Sequence, residues 1–149
     1  MSTVTEPLTM AAAVATGLIA GLFFFCSVAL MPALARLDQS AGIRAMQAIN
    51  VVIVRPLFLL VFLGAAVGTG VLALLAPEPL HLVAAACYLI GVIVVSATAN
   101  IPLNNSLDAV AADSAEGERL WQRYLSRWTV WNHVRTLTAT AATLALILA

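Results

Sequence analysis

Long apolar runs separated by short polar links set the pattern of this chain. The first apolar run extends over 8–34, the second over 56–76 and the third over 82–103. Each approaches or exceeds the ~20 residues that a helix needs to cross ~30 Å of hydrocarbon, and in lipid a helix satisfies its backbone groups internally. A fourth run, from Leu137 to Ala149, is shorter. As helix it covers only ~20 Å, too little to cross. The fourth span is therefore predicted to begin near Trp128 and to cover 128–148, which draws Asn132, His133 and Arg135 to the membrane boundary. The expected fold is an all-α membrane protein, a single domain over 1–149 built as a four-transmembrane-helix bundle with links at 35–55 and 104–127.

Both links carry helical signals. In the first, Asp38 or Ser40 can cap a helix that places Ile43, Met46 and Ile49 at helical spacing. In the second, Asp113 and Glu116 have the spacing of a capping pair. From Glu116 to Leu148 there is no proline, which predicts one long fourth helix of ~50 Å whose first turns project beyond the membrane. Gly17 and Gly21, with Ala13, and Gly64 with Gly68 form small-residue stripes suited to close helix packing, within the chain or in a homo-oligomer.

Composition sharpens the membrane reading. Hydrophobic residues make up 62% of the chain and charged residues 9%, where a soluble domain carries roughly 25% charged residues. The basic residues are all arginines, and their placement orients the chain. Arg36, Arg44 and Arg55 lie in or at the end of the first link, and Arg119, Arg123 and Arg127 in the second, with Arg135 just beyond. The positive-inside rule makes both links cytoplasmic and both termini external, the expected location being a plasma or inner membrane with the lipid bilayer as first partner. The N-terminus does not read as a secretory signal, since it carries Glu6 and no basic stretch. Zero net charge and the absence of a basic, aromatic-interleaved soluble face exclude a nucleic-acid partner. Cys26 and Cys87 fall at different depths, so no disulfide is expected.

Three polar groups gather at the cytoplasmic end. The first is Asn100-Ile-Pro102-Leu-Asn104-Asn105, where the two asparagines one turn apart share a face and Pro102 leaves the carbonyl of Thr98 without its partner. The second is Trp128-Thr-Val-Trp131-Asn132-His133-Val-Arg135, in which 128, 132 and 135 form one stripe continued by Trp121, Tyr124 and Leu125. The alternative for Trp131, His133 and Arg135 is an interfacial belt of aromatics with snorkelling basic groups. The third is Asn50 with Arg55-Pro56, near Ser27 and Pro32. Together they describe an apolar pocket with a few polar groups, the usual form of a small-molecule site. The spans hold no carboxylate pair, and His81 and His133 lie at opposite faces, which argues against di-iron, His-metal or haem centres.

These motifs, with Pro32-Ala33-Leu34 at the end of the first helix, resemble the anthrone oxygenase-like family of small four-helix membrane proteins. The resemblance extends over nearly the whole chain. It implies oxidation of an anthrone to an anthraquinone, with an apolar polycyclic small molecule as partner. An anthrone is an acidic planar ketone whose anion donates an electron to oxygen, so the chemistry requires a base, oxyanion donors and a dry slot, and no cofactor. On that reading His133 is the base, Asn100, Asn104, Asn132 and Arg135 stabilise the oxyanion, and Trp128, Trp131, Asn105 and Arg55 contact substrate at the cytoplasmic mouth. Asn100 or Asn104 is expected within hydrogen-bonding reach of Asn132 or Arg135. The alternative is a non-enzymatic scaffold whose Asn and Arg motifs lock helix ends. A transporter is disfavoured, since no span is broken at mid-membrane.

Overall fold

The computed structural model describes residues 4–149, so Met1, Ser2 and Thr3 of the expected external tail lie outside the described residues. The described residues form five helical columns: α1 Thr5–Leu34, α2 Gln39–Ile53, α3 Pro56–Leu75, α4 Pro79–Asp108 and α5 Ala115–Leu148. Three of them, α1, α3 and α4, are long and apolar enough to cross a membrane. The last, α5, is one uninterrupted helix of 34 residues, apolar in its C-terminal half only.

Neighbours run in a ring: α1 packs on α3 and α5, and α4 packs on the same two. Small residues make this closeness work. Ala12, Ala20, Ala65, Ala84, Ala139 and Ala142 are buried in one cluster with Ile19, Leu72, Tyr88 and Val92. At Gly91 a Cβ would collide with the Thr138 side chain, so only glycine permits the α4–α5 approach there. A Cβ added at Gly17 would meet Thr143 and one at Gly68 would meet Ala12, both within the chain, while one at Gly21 or Gly64 would meet nothing within 4 Å among the described residues.

A second cluster, at the other end, holds Met31, Leu34, Ile43, Met46, Leu107, Trp121, Tyr124 and Trp128. Here α2 lies over the ends of α1, α4 and α5. The indole of Trp121 would meet a Cβ on Gly42 at 2.9 Å, which explains a glycine on the buried face of α2. The cap of α5 differs from expectation: Ser114, not the Asp113–Glu116 pair, accepts from the Gly117 amide at 3.0 Å. Asp38 occupies the cap position of α2, but its side chain makes no cap bond.

The largest departure concerns the two prolines. Pro102 does not close the third helix; α4 continues to Asp108. Wide π-helical turns at Cys26–Leu30 and Ser96–Asn100 each end two residues before a proline, Pro32 or Pro102. A proline cannot donate to the carbonyl four residues back and its ring crowds that carbonyl. The helix answers by bonding one residue further: the amide of Met31 reaches Cys26 O, and that of Ile101 reaches Ser96 O. Such bulges are frequent at functional sites. These two turn Ser27, Ser96 and Asn100 into the interior, where all three are buried.

Candidate functional site

The two bulges and the middle of α5 meet in a polar layer between the two apolar clusters. Asn132, fully buried, donates from Nδ2 to the carbonyl of Phe23 and to Ser27 Oγ, both at 2.7 Å. Its Oδ1 accepts from Arg135 Nη2 at 2.7 Å. The other terminal nitrogen of Arg135 donates to Ser96 Oγ at 3.1 Å. The guanidinium lies 4.2 Å from the ring centre of Phe23 and 5.3 Å from that of Trp128, both within cation–π range.

Arg135 is only 7% exposed. No carboxylate pairs with it among the described residues, and its Nε–H is buried without a partner. A buried cation without a counterion is costly, and buried donors are otherwise almost always satisfied. Beside it lies a cavity of about 230 Å³ lined mainly by apolar side chains, with Arg135, Ser96, Asn50, Asn104 and Trp128 as its polar contributors. Asn50 also leaves a buried acceptor, Oδ1, without a partner, while its Nδ2 donates to Asp108 at 3.1 Å.

Below the cavity, Asn104 Oδ1 accepts from Tyr124 Oη and Trp128 Nε1, each at 2.8 Å. The rings of Trp121, Tyr124 and Trp128 stack in a ladder with centres 5.7 and 6.2 Å apart. Burial, and then the nearby Asp108, pushes the Tyr124 phenol above its ordinary range, so it stays a hydrogen-bond donor to Asn104. Asn104 thus holds the Trp128 plane against the guanidinium.

Several expected site residues fall elsewhere. Asn100 bonds the Trp128 carbonyl at 3.2 Å, and neither it nor Asn104 bonds Asn132 or Arg135. Their convergence runs through Trp128 instead. His133, expected as the base, is exposed on the opposite side of α5 and does not line the cavity. Trp131 is 42% exposed and lines a separate groove with Arg123 and Arg127. Asn105 is exposed, and Arg55 lies on an outer apolar groove rather than at the inner cavity. Phe23, Cys26 and Ser96 belong to the site and were missed, and Ser27 and Asn50 were noted without a role. One signal marks Ser27 and Ser96: a small hydroxyl residue five or six positions before a proline inside an apolar helix.

What this arrangement can do is hold a flat, apolar molecule carrying an acidic oxygen. The lone cation attracts negative charge strongly in a dry site, and the Trp128 face offers stacking.

No curated protein and no solved structure matches this chain. The sequence model of the family described as anthrone oxygenase matches residues 44–145, more than half of the chain, from within α2 almost to the end of α5. That span contains Asn100, Asn104, Trp128, Asn132 and Arg135, and the chain therefore belongs to the anthrone oxygenase family.

Proposed function

We propose that this chain is an oxygenase that takes an anthrone-type polycyclic ketone into the Arg135 cavity and oxidises it with molecular oxygen without a bound cofactor. The observation that carries this reading is a buried arginine with a free Nε–H and no carboxylate, facing an apolar cavity. At about 230 Å³ the cavity lies below the ~300 Å³ of common ligand sites, which favours a small flat occupant. Loss of a benzylic proton to solvent base gives the enolate, whose oxygen Arg135 stabilises. One electron passes to oxygen, giving superoxide and a carbon radical that combine as a peroxide anion. Protonation, then loss of the second benzylic hydrogen with water, yields the quinone; one ketone and one dioxygen give one quinone and one water.

In this reading α5 is the fourth crossing, so both termini are external and the links cytoplasmic. Ala139, Ala142, Ala145 and Leu146 of α5 share the buried cluster of the three apolar helices, which supports a common depth. Cysteines added in 36–55 and 105–125 should resist labelling from outside intact cells. For the chemistry, purified protein should form anthraquinone from anthrone with matching oxygen uptake. Absence of saturable turnover above the spontaneous rate rejects the oxygenase. Stoichiometric iron or copper whose removal ends activity rejects the cofactor-free step.

One observation favours the scaffold reading: Asn132 and Asn100 spend their amides on backbone carbonyls of other helices. A pure lock predicts that Ala at either position lowers the melting temperature and leaves turnover per folded protein unchanged.

A further inference from the structure

Between α1 and α3 an outer groove of about 600 Å³ runs along the helices, lined by apolar side chains and Arg55. Four of its wall residues, Leu22, Ile49, Ile53 and Phe58, also line the inner cavity. All four are half-buried, facing the groove on one side and the cavity on the other. They stand where the chain breaks between α2 and α3, at Val54 and Arg55, so no continuous helix closes this flank. The polar grooves bordered by Arg44 and Asp113, by Arg123 and Arg127, and by Gln39 and Glu118 share no wall residue with the cavity. The end expected to be the open mouth is instead covered by α2 and the Trp121–Tyr124–Trp128 ladder.

We infer that the Arg135 cavity is filled from the side, through the α1–α3 groove, by an apolar aryl ketone dissolved in the bilayer, with Leu22, Ile49, Ile53 and Phe58 forming the neck of the route. This rests on the ligand reading above. An apolar wall of this kind repels a water-borne approach and suits a molecule already partitioned into lipid. Arg55, the one charged side chain on the groove, sits where the oxygen of an arriving ketone first meets a donor.

The test uses the full chain in phosphatidylcholine vesicles with benzanthrone, a fluorescent polycyclic ketone, followed by stopped flow. Leu22→Trp and Ile53→Trp narrow the neck and should slow association and dissociation together by about tenfold, the mark of a transit barrier, since a weakened site alone would speed dissociation. Phe58→Ala should quicken both, which keeps the test informative if a bulky variant misfolds. Ser106→Trp, on a polar groove, should change neither rate. Wild-type rates in both narrowed variants, or slowing by Ser106→Trp alone, overturns the lateral route while the ligand reading stands. No saturable, Arg135-dependent benzanthrone binding overturns both. Neck-dependent binding without quinone formation from anthrone upholds the route and rejects only the oxygenase.

Discussion

Two buried polar sites sit at opposite ends of the same helices, and they are finished differently. At one end His81 is fully buried; its Nδ1 donates to the Ala76 carbonyl at 2.8 Å and its Nε2 faces Thr9 Oγ1 at 3.3 Å. Thr9 Oγ1 also lies 2.8 Å from the Thr5 carbonyl, so its one hydroxyl proton is shared between that carbonyl and Nε2. Each of these side-chain atoms has a protein partner within hydrogen-bonding distance among the described residues, and the site ties the α3–α4 turn to α1. At the other end Arg135 keeps an unpaired Nε–H, and Asn50 and Asn100 each keep an unpaired oxygen. A closed network rigidifies, whereas a partly open one is destabilising unless something completes it. The contrast separates a structural joint from a site built for a guest.

The largest expected effect comes from removing the cation. Arg135→Gln should reduce anthrone turnover by ~10²–10³-fold, the usual cost of one oxyanion donor. It should not lower the melting temperature much, because a buried charge without a counterion is itself unfavourable. Oxygen uptake and thermal unfolding on one preparation check both halves. A large loss of stability with turnover per folded protein intact would make Arg135 a joint like His81.

Asn132→Ala should act on both quantities. It removes one bond each from the Phe23 carbonyl, which keeps the Cys26 amide, and from Ser27 and Arg135, and each buried group left unsatisfied costs ~1–3 kcal/mol. Turnover should also fall, since Arg135 loses the bond that fixes its plane. His81→Phe sharpens the other side of the comparison. It should destabilise by about 0.5–1.5 kcal/mol through the lost imidazole bond to the Ala76 carbonyl, which keeps the Glu78 amide, and leave benzanthrone affinity unchanged. A changed affinity would mean that the two ends are coupled.

Much of the fold could be read from hydrophobicity, because lipid solvent leaves so few options: run lengths placed α1, α3 and α4, and the proline-free stretch placed α5 as one rod. The stripe 128, 132, 135 followed from helical spacing. What stayed hidden depended on backbone detail. The π turns rotate everything upstream of Pro32 and Pro102, so straight-helix spacing could not bring Ser27 and Ser96 to Arg135, nor show that α4 runs on to Asp108. Nor did charge patterning reveal that α2 covers the mouth, since α2 docks through Gly42 and Trp121, a fit of shapes rather than of signs.

The smallest effect is expected at His133, and it tests helical phase directly. Each helical residue turns by about 100°. Position 133 is therefore one step past Asn132 and about 160° from Arg135 by the shorter way round, well off the stripe that faces the cavity. The structure leaves it exposed while 132 and 135 are buried. His133→Gln should accordingly change stability by less than ~0.5 kcal/mol, as surface substitutions usually do. Turnover and its pH profile should match the wild type. A base at this position would behave otherwise: Gln cannot accept the proton, so turnover would drop steeply. That outcome would move the chemistry to the Trp131 side of α5, leaving the Arg135 cavity without a catalytic role.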